Sequence, residues 1–387
     1  MSEIEESVSL QKHHWRWRVI GFYIRRAAVR DLRRVIGAVV LAAMAVLAVE
    51  AISSYVLFRH FARLDRSFYP VGSATIALAR NVVAKAKGRH SDEVLVTIDH
   101  GPLFRADGTL GYSMYPGKYR ITERRFGHSH AFDLTVDEFG RRVTAERANA
   151  SPRRLYMAGD SGMFGWGLND EQTAPWLLQA RFPKLNVVNL SLTSYSMVQA
   201  LLELEHTSPK VTADDIVVLT YHPITNGFNV ASNEMLGFLR TGFEHQLGDS
   251  ALVHDMVIPF GSIDGGGRLS VEHYAVVACA KGGAAGAQCP PRQLSTDEAN
   301  RVTERAFDAI LAAQPGQVVI ALLSGGDSDP VVEHFRSKGV FIADLRMDTG
   351  DPDATDLVLI DDHAGPFWHR ALAQRLGDAL RQARLVE

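Results

Sequence analysis

Gly159-Asp160-Ser161 stands near the middle of the chain. The apolar run Arg154-Leu155-Tyr156-Met157-Ala158 precedes it and the glycine-punctuated Gly162-Met163-Phe164-Gly165-Trp166-Gly167 follows. An apolar run that ends in a small residue and turns on glycines predicts a strand delivering a serine to its carboxyl end. Ligands and nucleophiles sit at that end of open α/β sheets. A serine hydroxyl is a poor nucleophile at neutral pH and needs an adjacent base to take its proton. The base needs a partner that fixes its tautomer, and charge developing on an attacked carbonyl needs preorganised donors. A candidate base lies near the C-terminus, in Asp361-Asp362-His363-Ala364-Gly365-Pro366-Phe367-Trp368-His369-Arg370. A second copy of the tripeptide, Gly326-Asp327-Ser328, runs into Asp329-Pro330. That copy has no base downstream in the expected register and is predicted to be a helix-capping loop.

The elements that must position these groups follow an α/β rhythm. Strands are predicted at 154–158, 185–189, 215–220, 317–323 and 339–343, with helices around 171–181, 196–207, 296–313, 330–337 and 367–384. Such alternation argues for a parallel sheet covered by helices on both faces. The α/β domain is assigned to 151–387, and the long Gly-rich stretch 224–295 is predicted to be an insertion at the rim, a lid or substrate platform. Ahead of it, 91–150 is expected to form a small β-rich unit, since Val94-Leu95-Val96-Thr97-Ile98 and similar short runs alternate with turns at Asp107-Gly108, Pro116-Gly117 and Phe139-Gly140.

The order of these blocks resembles that of the SGNH/GDSL hydrolase family, and the whole chain resembles a membrane-anchored bacterial member. The resemblance rests on Gly159-Asp160-Ser161 and on His363 followed by His369-Arg370 at a helix start, with Trp368 where the family usually has glycine. It implies a flavodoxin-like three-layer α/β/α sandwich and a serine esterase mechanism. Ser161 would be the nucleophile, His363 the base and then acid, and Asp361 the orienting acid, with Asp362 as the neighbouring alternative. After Val187-Val188-Asn189, the segment Leu190-Ser191-Leu192-Thr193-Ser194-Tyr195-Ser196 is similar to the family's glycine-rich oxyanion loop. Ser194 takes the place of the glycine whose N–H meets the oxyanion, and Ser191 and Ser196 replace other glycines. The family's third donor is an asparagine side chain after the next strand; Asn226 is the nearest, and the usual Asn-Asp pair is absent. The implied oxyanion donors are therefore the N–H groups of Ser161 and Ser194 and the Asn226 amide. His222 in the same loop is read as a structural histidine before proline, with a substrate contact as the alternative. The implied activity is removal of O-acyl groups, above all acetyl, from a cell-envelope carbohydrate or a small ester. Two alternatives stand beside it: a polysaccharide O-acyltransferase using the same triad, and a non-catalytic subunit of an envelope assembly complex with a degenerate site. Neither a cofactor nor a metal is implied.

Composition sets the remaining bounds. A chain of 387 residues, 46% hydrophobic and 22% charged, is a folded protein, and its net charge of −3 gives no argument for nucleic acid. Residues 1–34 are read as a basic cytoplasmic tail, because 12–34 carry eight Lys and Arg against Asp31. Residues 35–58 are apolar apart from Glu50, and about 24 residues of helix span roughly 36 Å, enough for a hydrocarbon core. An uncleaved transmembrane signal anchor is therefore predicted, with 59–90 a juxtamembrane helix. The protein would be single-pass in a bacterial inner membrane, its catalytic domain periplasmic, with a possible membrane-protein partner at Glu50 or the insertion. In that compartment Cys279 and Cys289, which bracket a short Gly/Ala stretch, are expected to form a disulfide.

Overall fold

Alternation along Leu95-Val96-Thr97-Ile98-Asp99 leaves Leu95, Thr97 and Asp99 exposed and half-buries Val96 and Ile98, as the two-residue period of a one-sided strand requires. This strand, β1 (Leu95–Asp99), opens the described part of the chain. The computed structural model describes residues 94–125, 128–146, 152–277, 295–346 and 363–387, with helical residues at 41, 44, 45, 48, 49 and 52. The chain divides into two units, 1–62 with 67–86 and 63–66 with 87–387. Only the six helical residues are described in the first, and the second holds everything below. The predicted tail 1–34 and juxtamembrane helix 59–90 lie outside the described residues, as do Cys279 and Cys289.

The β-rich unit continues with β2 (Phe104–Asp107), β3 (Gly111–Met114), β4 (Gly117–Arg125) and β5 (His128–Val136). Strands β1, β4 and β5 form an antiparallel sheet in that order, and β2 and β3 pair as a hairpin. The α/β part then runs β6 (Arg154–Ala158), α1 (Ser161–Phe164), α2 (Ala174–Arg181), β7 (Asn186–Asn189), α3 (Met197–His206) and β8 (Ile216–Tyr221). Next come α4 (Asn233–Arg240), α5 (Ser250–Asp255), β9 (Val257–Ile263) and β10 (Leu269–Ala275). The rhythm resumes with α6 (Thr296–Ala313), β11 (Gln317–Leu322), α7 (Pro330–Ser337), β12 (Phe341–Asp344) and α8 (Pro366–Gln382).

Five parallel strands form the central sheet in the order β12-β11-β8-β6-β7. Counted along the chain this is the 2-1-3-4-5 order of flavodoxin-like sheets, whose winding reverses between the first and third strands. Here that switch point lies between β6 and β8. All six residues of β8 are buried: Val217, Leu219 and Tyr221 join the core under α3, α6 and α7, whereas Ile216 and Val218 join the core under α2 and α8. Local signals set the helix starts. The Asp329 carboxylate accepts from Val331 N at 2.9 Å, with Pro330 in the first turn of α7, so the second Gly-Asp-Ser copy leads into a helix cap.

Of the stretch predicted as a rim insertion, the described part, 224–277, forms a packed wall. Phe243, Leu252, Met256, Ile258 and Phe260 are buried in one core with Tyr112, Phe132 and Leu134 of the β-rich unit. Gly265, Gly266 and Gly267 are confined to the turn between β9 and β10.

The membrane-anchored reading is corrected. Among the described residues, no helix is long and apolar enough to cross a membrane. A span needs about 20 predominantly apolar residues. The longest described helix, α6 with 18 residues, carries Asp297, Glu298, Arg301, Glu304, Arg305 and Asp308. Most of 35–58 lies outside the described residues. The transmembrane element of the fold, the N-terminal helix as a membrane contact and the single-pass inner-membrane placement with a periplasmic domain are withdrawn, together with the membrane-protein partner inferred from them.

Arg142, on the segment after β5, joins the β-rich unit to the loop that follows Ser161. Its side chain is fully buried. Nε donates to Asp170 Oδ1 at 2.9 Å; Nη1 donates to Gly165 O at 2.6 Å and Phe164 O at 3.3 Å; Nη2 donates to Leu168 O and, at 3.4 Å, to Asp133 O. All five guanidinium hydrogens thereby have acceptors. Burial pulls the Arg142 pKa down, and Asp170 opposes that pull. Replacing Arg142 with Gln strands the Asp170 carboxylate and several carbonyls. Urea unfolding of the variant is expected to show a loss of about 3–5 kcal/mol, the range for breaking a buried ion pair; a loss below about 1 kcal/mol would show that the guanidinium does not brace this loop.

Candidate active site

Ser161 begins α1 directly beyond the carboxyl end of β6, at the switch point. Close approach of β6 and β8 dictates the glycine before it: a Cβ at Gly159 would stand 1.7 Å from Thr220 Oγ1. Asp160 caps α1, its Oδ1 accepting from Gly162 N at 3.0 Å. Its other oxygen, Oδ2, lies 2.6 Å from His222 Nε2, where His222 leaves β8. Burial alone would raise the Asp160 pKa, but His222, the Gly162 N–H and the charge of His363 outweigh it and hold the carboxyl below the usual range.

His363 immediately precedes α8 and acts electrostatically on both Asp160 and His369. The structure thus brings Asp160 and His222 to the corner that Ser161 occupies. Helix α8 is held against α2 by Leu178, Leu372 and Leu376 and by Ala174 N donating to His369 Nδ1 at 3.1 Å. Asp361 and Asp362 lie outside the described residues.

The loop carrying Ser194 runs along the end of β6. Leu190 N donates to Met157 O at 2.8 Å, Ser191 Oγ to the same carbonyl at 3.1 Å, and Leu192 N to Gly159 O at 3.2 Å. Ser194 has φ of 60°, the left-handed region that glycine adopts without cost. Tyr112, from β3, holds this turn: its buried phenol donates to Thr193 O. Tyr195 Oη donates back to Tyr112 O at 2.6 Å.

Asn226 is placed differently from the sequence expectation. Its Nδ2 donates to Tyr221 Oη at 3.1 Å and to Asn300 Oδ1 at 2.9 Å, so neither amide hydrogen is left for an oxyanion. Two partnerships at the site were not read from the sequence. His222, expected there to be a structural histidine before proline, is the partner of Asp160. Tyr112 carried no signal, because it reaches Thr193 from 81 residues away. Among the described residues no group of three or more His, Cys, Asp or Glu side chains could hold a metal ion.

No protein-family model matches the chain, and no curated protein matches it. Several solved structures overlay on part of it. A lipolytic protein of the G-D-S-L family from Veillonella parvula is 11% identical with a TM-score of 0.33, covering 58% of this chain and 96% of that one. An acetylxylan esterase from Geobacillus stearothermophilus, solved as a catalytic mutant, is 14% identical with a TM-score of 0.30, covering 60% and 95%. An esterase from Pseudoalteromonas is 10% identical with a TM-score of 0.31, covering 60% and 98%. Likeness at this level establishes neither family nor activity.

Two variants test the positioning elements. Ser194→Gly and Ser194→Ala both lose the hydroxyl, but only glycine is at ease at φ of 60°. The glycine variant should be more stable by about 1–2 kcal/mol in urea unfolding, the cost of left-handed backbone for an L-residue; equal stabilities would contradict the strained turn. His369 is buried, and burial first, then the charges of Arg142 and His363, push its pKa down to about 3 from 6.5. Because the folded pKa is depressed, the unfolded chain binds the proton first. The contribution of neutral His369 is complete above pH 6.5 and is lost as pH falls toward 3, at up to about 1.4 kcal/mol per pH unit. His369→Asn keeps an acceptor for Ala174 N–H without titrating there, so its stability should fall less steeply between pH 6.5 and 4.5 than that of the parent; parallel curves would rule out His369 as the source.

Proposed function

We propose that the protein is a serine esterase that removes O-acyl groups, acetyl foremost, from a carbohydrate or a small ester. One observation carries the reading: Ser161 begins α1 at the switch point of the parallel sheet, directly beyond the carboxyl end of β6. In this mechanism Ser161 Oγ attacks the ester carbonyl and its proton passes to the His363 imidazole. The imidazolium then protonates the departing alkoxide, leaving an acyl-enzyme. Water, deprotonated by His363, releases the acid and restores Ser161. The backbone N–H groups of Ser161 and Ser194 hold the oxyanion. Asp361 is the proposed orienting acid for His363, because Asp160 is already taken by Gly162 N and His222.

The test is intact-mass analysis of the full chain after exposure to a fluorophosphonate probe. A single adduct is expected on the parent and none on Ser161→Ala, with labelling of His363→Ala slowed by about a hundredfold or more. His222→Ala is expected to label, more slowly than the parent but faster than His363→Ala. A folded parent that takes no adduct would overturn the esterase reading. Labelling that depends on His222 and not on His363 would transfer the role of base.

A further inference from the structure

Away from Ser161, a cleft of about 280 Å³ opens between the β2–β3 hairpin and the segment running from the end of β7 into α3. Its polar groups are left short of partners. Asn189 is 2% exposed; its Oδ1 accepts from Ser191 N at 3.1 Å, but its Nδ2 has no hydrogen-bond partner. Arg141 commits both terminal nitrogens, to Ser208 O and Thr207 Oγ1, while its buried Nε has none. The Glu203 carboxylate is 3.9 Å from that Nε, beyond hydrogen-bond length. Leaving buried donors unpaired costs about 1–3 kcal/mol each, so the cleft favours an occupant that answers them.

We infer that this cleft is a binding site for a neutral saccharide. A hydroxyl can accept from Arg141 Nε and donate to Glu203 at once, closing the gap between them. A second ring oxygen or hydroxyl can take the Asn189 Nδ2 hydrogens. Ionic ligands are disfavoured from both sides: Glu203 and Asp107 repel an anion, and Arg141 and Arg105 repel a cation, all four lining the same cleft. At the rim Phe139 is 54% exposed, with the Arg141 guanidinium 5.2 Å from its ring. An aromatic ring beside planar polar groups suits the mixed C–H and O–H surface of a sugar. A second cleft, of about 760 Å³, shares Phe139, Arg141 and Asn189 with the first, so the ligand has room to extend as an oligosaccharide. The floor is the loop whose far end carries Ser194. Ser161 does not line the cleft, so binding there is independent of the esterase reading.

The experiment is calorimetric titration of the full chain with neutral hexasaccharides of glucose, mannose, galactose, xylose and N-acetylglucosamine, with hexagalacturonate as the acidic contrast. Two variants accompany the parent, each checked for folding by thermal melting. Phe139→Ala removes an exposed ring, and Asn189→Asp keeps the acceptor for Ser191 N–H while removing the donor. At least one neutral sugar is expected to bind with a Kd of about 1 mM or tighter, and each variant to weaken it by about tenfold or more. If Asn189→Asp does not fold, Phe139→Ala decides alone. Failure of every neutral sugar, binding of the acidic one only, or binding unchanged in the folded variants would overturn the site.

Discussion

One buried guanidinium underlies the geometry of the Ser161 corner. A charge is expensive to take out of water unless every hydrogen finds an acceptor, and Arg142 meets that condition only if several loops hold their places. Its acceptors are the Asp170 carboxylate and the carbonyls of Asp133, Phe164, Gly165 and Leu168. Phe164 ends α1, Gly165, Leu168 and Asp170 belong to the loop that follows it, and Asp133 belongs to β5. The turn that presents Ser161 is therefore fixed from outside the central sheet, by a residue the β-rich unit supplies.

That unit is consequently a structural part of the site. Besides Arg142, Trp166 Nε1 donates to Glu123 Oε1 at 2.6 Å, and Thr135 N donates to Asp170 Oδ2 at 3.0 Å. Tyr112 reaches further, to the turn at Thr193 and Ser194. The apolar contribution is of the same kind: Phe104, Tyr112 and Phe132 share a core with Phe164, Trp166 and Phe243. Loops that leave a parallel sheet are ordinarily mobile and variable. Here an antiparallel wall packs on two of them and holds both in place.

The electrostatics of the corner follow from the same packing. Asp160 is buried yet ionised, because His222, Gly162 N–H and His363 surround it. His369 is buried and neutral, because burial disfavours its charged form and Arg142 and His363 both oppose its protonation. Two histidines here thus have structural duties: His222 secures the cap and His369 anchors α8 to α2.

Local chemistry made part of this legible in the sequence. The strand at 154–158 ending on Gly159-Asp160-Ser161, the helices at 296–313 and 330–337, and the capping role of Asp329 all follow from periods and caps within a few residues. For the same reason Gly326-Asp327-Ser328 could be told apart from Ser161. Apolar composition over 35–58 pointed to a membrane span, yet composition does not establish a helix of the required length and apolarity, and none is found among the described residues. Only the tertiary structure decided that Asn226 spends its amide on Tyr221 and Asn300, that His222 pairs with Asp160, and that Tyr112 shapes the Ser194 turn. It likewise placed Asn189, Arg141 and Glu203 in one cleft. These contacts join residues as many as 81 positions apart, and a sequence pattern encodes only what neighbours three or four residues away must do. Which side chain satisfies which is settled when the sheet order and the packing of its two covers bring distant segments together.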